Sequence, residues 1–428
     1  MQPSWLTVPQ VPNNPLRTMP GCTDAVSHVS WGQDARIIGL VGLAHAASHF
    51  GQLVMPVMFP VLMAEFGLSY AQLGGLMTTL FVVSAILQAG AGFVVDRLGA
   101  RLMLFGAIGL YGLACVWASL VTGYAGLLGV AVLSGVANAA FHPVDFTLLN
   151  HRVSPERLGY AFSAHGLSGS LGLACAPVFM ATLYAVCGWR MAYLAAASLY
   201  VGILALMVWQ RDKLSTPGVS HQRQSANVLA FLRWPVVWWC FGFFVFSTMT
   251  LAVIQGFSVS ILQAMYGISF KSATWTLTAY MLSGALGMLT GGWLAVRSVH
   301  SNHVVAMSMT CAALLLALCG TGALGGTVTM GILAATGFAV GLAGPSRDMM
   351  IKQAASSNGM GGAGSMGRVY GLVYSGLDIG SAISPMWFGV WLDHGWYRAT
   401  LLGAACFLIL SVGAALEVGR YTARSAIK

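Results

Sequence analysis

Long apolar runs separated by short polar connections dominate this chain. Twelve of the runs are each about long enough, at roughly 20 residues, to cross a bilayer as a helix. They lie at about 36–63, 72–95, 102–121, 125–149, 160–187, 191–209, 236–264, 271–296, 303–322, 325–347, 368–392 and 398–417. The pattern therefore predicts an all-α integral membrane protein with twelve transmembrane helices.

The one long polar interruption near the middle divides these spans into two groups of six. It holds four basic residues within residues 210–235 and is interpreted as a linker. The predicted organisation is a disordered cytoplasmic N-terminus at 1–35, a first six-helix half at 36–209, the cytoplasmic linker at 210–235, a second half at 236–417 and a cytoplasmic tail at 418–428.

The two groups of spans share an ordered series of matching residues. Gly92 and Arg97 match residues 292 and 297 at an offset of 200, and further pairs follow at offsets up to 208. Such a series is most simply a duplication. Six plus six spans in parallel repeats are typical of transporters that rock around a site between two halves. The prediction is therefore two pseudo-symmetric halves.

The composition and charge support a membrane location. The chain of 428 residues is 57% apolar and 7% charged, whereas a soluble domain is about 25% charged. Seventeen of its 20 Lys and Arg residues fall in the segments on the side of the N-terminus. Basic residues collect on the cytoplasmic side of membrane proteins. Both termini are therefore expected in the cytoplasm, with the protein in the inner or plasma membrane. The net charge of +9 is attributed to this asymmetry and not to a surface that binds nucleic acid.

Polar side chains recur at helical spacing inside two of the apolar spans. Asn138, His142 and Asp145 lie four and then three residues apart, and His49 and Gln52 share a face of the first span with a further histidine at position 45. An Asp at mid-bilayer costs roughly 2.5–3.5 kcal/mol, so these faces should turn inward. They predict a solute or proton path. The alternative is that they only bond to neighbouring helices.

Depth ranks the remaining polar candidates. Asp378 lies about ten residues into its span, or about 15 Å at 1.5 Å per residue, and His49 falls near the middle of the first span. These two are therefore the predicted proton-carrying groups, because they are the most costly to bury. Gln255 is the candidate of the seventh span. No metal-ligand set and no cofactor motif is predicted, and the eight cysteines form no Cys-x-x-Cys pair.

The stretch Gly92-Phe-Val-Val-Asp96-Arg97-Leu-Gly99-Ala-Arg101 resembles the signature that follows the second span in the major facilitator superfamily. His49-Phe50 and Phe141-His142-Pro143 resemble the fosmidomycin-resistance-like branch of that superfamily. The first resemblance implies that Gly92, Asp96, Arg97, Gly99 and Arg101 form a cytoplasmic conformational latch.

The expected function is secondary transport of a small organic solute by alternating access, with proton-coupled export as the resemblance suggests. Uptake of an organic acid or another nutrient is the alternative. A copper transporter, suggested by His303-x3-Met307, and a non-transporting membrane sensor are less favoured. An enzyme is not expected, because no nucleophile–base pair appears. The expected partners are the solute, protons and the lipid bilayer, and the protein is expected to be a monomer.

Overall fold

The computed structural model describes residues 30–215, 230–298, 301–356 and 363–426. Within these ranges thirteen α-helices make up almost all of the chain. They are α1 (Trp31–Val57), α2 (Phe59–Phe66), α3 (Tyr70–Leu98), α4 (Ala100–Leu120), α5 (Tyr124–Asn138), α6 (Phe141–Arg152), α7 (Leu158–Trp209), α8 (Pro235–Tyr266), α9 (Phe270–Arg297), α10 (Ser301–Gly320), α11 (Gly326–Ser356), α12 (Ala363–Asp393) and α13 (Tyr397–Ala426).

The thirteen helices correspond to twelve spans. The first span is divided into α1 and α2 at Met58, between two prolines that each remove a backbone donor. The fourth span is divided into α5 and α6 just before Pro143. In contrast, α7 holds the fifth and sixth spans, which meet at Gly188, where φ is +79°. Nine stretches of the described chain are long and apolar enough to cross a membrane, and one of them has 55 residues.

The first helix begins at Trp31, five residues before the predicted span. The cause is a capping box, in which the Ser30 hydroxyl accepts from the backbone N–H of Gln33 and the Gln33 side chain accepts from that of Ser30. Asp34, in the first turn of α1, is fully buried and accepts hydrogen bonds from the Ser154 hydroxyl at 2.6 Å and from Arg157 at 2.8 Å. Residues 31–35, predicted above to be part of a disordered N-terminus, are therefore helical, whereas 1–29 and 216–229 lie outside the described residues.

Helices α1–α7 and α8–α13 form two groups of six spans that meet mainly along four pairs of helices. Helix α3 packs on α12, α7 packs on α9, and both α1 and α2 pack on α8. Thr78 of α3 donates to a backbone oxygen of α12, and Thr278 of α9 donates to the oxygen of Ala174 at 3.2 Å. Phe59 and Phe257 have ring centroids 6.0 Å apart. This arrangement places the polar faces of α1 and α6 inside the bundle.

Candidate functional site

A carboxylate between two imidazoles forms the centre of the candidate site. Oδ2 of Asp145, on α6, lies 3.0 Å from Nδ1 of His45 on α1 and 3.1 Å from Nε2 of His165 on α7. Asp145 is fully buried, and the two histidines are 3% and 7% exposed. Three helices of the first group therefore converge on one carboxylate inside the membrane-spanning part of the protein.

Two more histidines extend this cluster. The ring of His45 stacks on that of His165 with centroids 3.5 Å apart, and the centroid of His49 lies 4.6 Å from that of His45. His142 is 5.5 Å from His45. The spacing of four residues on α1 and three residues on α6 brings these side chains to the same side of each helix. The cluster of His45, His49, His142, Asp145 and His165 is called the histidine cluster below.

A glycine on α7 makes room for the rings. A Cβ at Gly169 would lie 2.8 Å from Cδ2 of His49 and 2.9 Å from Nε2 of His45. One turn further, a Cβ at Gly172 would meet the backbone oxygen of Ala46. Small residues at these positions therefore allow α7 to approach α1 closely, which is how helices commonly pack in membranes.

Two buried polar atoms of the cluster have no hydrogen-bond partner among the described residues. They are Oδ1 of Asp145 and Nδ1 of His49. Buried polar atoms in native proteins are nearly always paired, so such exceptions often mark functional positions.

Asn138 and Gln52 belong to a second network. Oδ1 of Asn138 accepts from Gln52 at 2.9 Å and from the hydroxyl of Tyr111 at 3.1 Å, and its Nδ2 donates to Ser84 at 2.8 Å. These bonds connect α5 to α1, α4 and α3. Asn138 therefore joins four helices of the first half through its side-chain hydrogen bonds.

Gln88 connects the cluster to the second half. Its Oε1 lies 3.4 Å from Nδ1 of His142, and its Nε2 donates to Oδ2 of Asp378 on α12 at 3.4 Å. Both distances are long for hydrogen bonds. The structure thus brings His142 and Asp378, which lie in different halves, to either side of one amide. Asp378 itself is partly exposed.

Sequence reasoning missed His165 and Gln88. Each is a single polar contribution of its helix to the site, so no regular spacing of polar residues along that helix identifies it. The sequence pattern places His45 on the same face as His49 but does not mark it as a candidate site residue. Gln255, a candidate from the sequence, is buried on α8.

The predicted latch lies at the junction of α3 and α4. Gly99 has φ +83° between the two helices, a conformation that favours glycine. Arg101 donates to the backbone oxygen of Arg211 at 3.4 Å. The side chain of Asp96 lies outside the described residues. Gly92 and Arg97, the other two members of the predicted latch, are exposed.

The model of the Major Facilitator Superfamily matches residues 41–385, and the chain belongs to this family of multi-pass membrane transporters. Among curated proteins, a multidrug resistance protein B homolog of Mycobacterium tuberculosis is 28% identical over 182 residues, which cover 42% of this chain and 33% of that protein. The fosmidomycin resistance protein of Escherichia coli is 25% identical over 271 residues, or 60% of this chain and 64% of that protein. The chain therefore matches only about a third of the first relative's length.

Solved structures show the same fold. A bacterial homolog of the human lysosomal transporter Spinster superposes with a TM-score of 0.73 and 14% identity, over 91% of this chain and 98% of that chain. The nucleoside transporter NupG superposes with a TM-score of 0.71 and 15% identity, over 90% of this chain and 99% of that chain. The predicted fold of twelve spans in two pseudo-symmetric halves is confirmed by these likenesses.

Proposed function

We propose that this transporter exports a small polar, anionic organic solute in exchange for protons. The contact of Asp378 with Gln88 carries the proposal. A carboxylate inside a membrane span is a functional candidate by default, because its burial is costly. Here that carboxylate lies at a surface between the two halves, where alternating access requires movement.

Protonation of Asp378 changes the contact that it makes. The ionised carboxylate only accepts hydrogen bonds, whereas the protonated form also donates one. The amide of Gln88 has both a donor and an acceptor, so the two forms of Asp378 have different energies against the same partner. A proton bound to Asp378 therefore shifts the equilibrium between conformations in which the two halves are in contact at Gln88 and conformations in which they are apart. Coupling of proton movement to transport requires such a shift.

The proposed path and topology follow the predicted residues. The solute passes the polar side chains His49, Gln52, Asn138, His142, Asp145 and Gln255. Gly92, Asp96, Arg97, Gly99 and Arg101 form the proposed cytoplasmic latch. Both termini lie in the cytoplasm, and the protein works as a monomer in the inner or plasma membrane. The boundaries of the halves at 36–209 and 236–417 remain predictions.

The direction of transport rests on the names of relatives. The multidrug resistance homolog and the fosmidomycin resistance protein favour export. The probable L-galactonate transporter of Escherichia coli, 23% identical over 54% of this chain and of its own length, favours uptake as the alternative. The copper alternative is weakened because Met307 is 74% exposed on the outside of the helix bundle.

The test is proton flux in proteoliposomes with an interior pH dye. The panel contains phosphonates, carboxylates, amino acids and cationic drugs. We expect one class to drive proton flux, and Asp378→Asn to abolish that flux. The matched control is Asp212→Asn, because the side chain of Asp212 is 91% exposed.

Two results would contradict parts of the proposal. If labelled solute equilibrates without proton movement, the protein is a uniporter and Asp378 is structural. If no solute of the panel crosses the membrane in any condition, the non-transporting sensor becomes the better hypothesis.

A further inference from the structure

Three side chains of the histidine cluster bring atoms that can bind a metal ion close together. The ligand atoms of His45, Asp145 and His165 all lie within 4.8 Å of one another. Those of the two histidines lie 3.0 and 3.1 Å from Oδ2 of Asp145. Around a tetrahedral ion with bonds of about 2.0 Å, ligand atoms are about 3.3 Å apart. The two nitrogen-to-oxygen distances are therefore within a few tenths of an ångström of the separation that ligands of one metal ion would have.

The unpartnered atoms of the cluster supply an independent observation. Asp145 is fully buried, yet its Oδ1 has no hydrogen-bond partner in the described part of the chain. A buried carboxylate is normally paired or coordinates a metal. His49 also has an unpartnered buried nitrogen, and its ligand atom lies within 4.8 Å of those of His45 and His142. His49 thus offers a further ligand atom close to His45, which is one of the first three residues.

We propose that His45, Asp145 and His165 bind one divalent transition-metal ion, with Zn²⁺ as the occupant and a neighbouring histidine as the fourth ligand. Imidazole nitrogens suit Zn²⁺, Co²⁺ and Ni²⁺, whereas Mg²⁺ and Ca²⁺ prefer sites built from oxygen. The sequence pattern did not predict this set, because its members come from three helices that are separate in the chain.

The site is distinct from the proposed coupling group. All of its ligands belong to α1, α6 and α7 of the first half, whereas Asp378 is on α12 of the second half. A bound ion therefore joins three helices within one half and does not cross-link the two halves. We expect it to raise the unfolding temperature of the protein, since a ligand that binds only the folded state stabilises it.

The experiment uses the full chain without a histidine tag, purified in detergent and stripped with a chelator. Titration calorimetry with Zn²⁺ and visible absorption with Co²⁺ measure binding. We expect one ion per chain and the intense bands of tetrahedral Co²⁺. His45→Asn, Asp145→Asn and His165→Asn should each weaken binding by at least 10- to 100-fold, the loss that even an outer-shell change causes. Mg²⁺ should not compete.

Two further variants separate a built site from other causes of lost binding. His394→Ala removes an exposed histidine that is not part of the histidine cluster. This variant should bind Zn²⁺ as tightly as the wild type does. His165→Cys offers another zinc ligand, so it should retain binding and add a thiolate-to-cobalt charge-transfer band.

The proposal is overturned if the wild type binds no Zn²⁺, or if His165→Asn and Asp145→Asn bind as tightly as the wild type. The absence of the charge-transfer band in a folded, Co²⁺-loaded His165→Cys protein also contradicts it. Because the assay requires no transport, a failure of proton flux leaves this result unaffected.

Discussion

The carboxylate of Asp393, at the end of α12, caps the first turn of α3 in the other half. Its oxygens accept from the backbone N–H groups of Tyr70 at 2.6 Å and Ala71 at 3.0 Å. The neighbouring N–H groups of Ser69 and Gln72 are satisfied by the capping box of α3 itself. Two of the donors in this turn therefore depend on contact between the halves, at the end predicted to face outside.

Asp393→Ala should favour opening at this end. The loss of a helix cap costs about 1 kcal/mol, so we expect the open population to rise about fivefold. Pulsed electron paramagnetic resonance can measure this as the distance between spin labels on cysteines introduced at Ala64 and His394 in a cysteine-free background. Gln72→Ala is the matched control, because it removes a cap of the same helix within one half. Equal distance distributions in Asp393→Ala and the parent would contradict this role.

Gln88→Met should uncouple proton movement from solute movement. The methionine side chain has a similar length but lacks the amide group that contacts His142 and Asp378. The polar contact between the halves is therefore lost. Allosteric coupling is typically 1–3 kcal/mol, and we therefore expect at least about a fivefold lower ratio of proton to solute flux. The proteoliposome assay measures both fluxes. Gln263→Met on α8 is the control, and an unchanged ratio in Gln88→Met would make the contact incidental.

The fold was predictable from this sequence to a greater degree than the site. Apolar length alone marks the spans, because backbone groups in lipid must be satisfied within a helix. Spacing on one helix also placed His142 and Asp145 on a common face, and His45 and His49 on another. It could not reveal that His165 completes the cluster or that Gln88 reaches Asp378. Those contacts depend on how helices that are remote in sequence approach one another, and a single polar residue on an apolar helix has no periodicity.

Asn138→Leu should destabilise the first half. It leaves Gln52, Tyr111 and Ser84 without their common partner, and interhelical hydrogen bonds in membranes are each worth about 0.6 kcal/mol on average. For three bonds we expect a loss of about 2 kcal/mol, seen as a lower unfolding temperature in detergent. Asn150→Leu is the control, because Asn150 is exposed and bonds to its own helix. A similar unfolding temperature for both variants would show that the network contributes little.

Gly341→Ala should destabilise the second half, where α9 and α11 are in close contact. A Cβ at Gly341 would meet the backbone oxygen of Gly284, and one at Gly337 would meet that of Tyr280. Backbone atoms cannot move aside as a flexible side chain can, so the helices must separate, at a cost of about 1–3 kcal/mol. Gly331→Ala, on the same helix, has open space around the new methyl group. It should therefore be neutral or stabilising by up to about 1 kcal/mol, because alanine favours the helix. Gly341→Ala should thus lower the temperature of thermal unfolding, whereas Gly331→Ala should leave it unchanged or raise it. A loss of equal size in both would mean that the contact of α9 with α11 is not the cause.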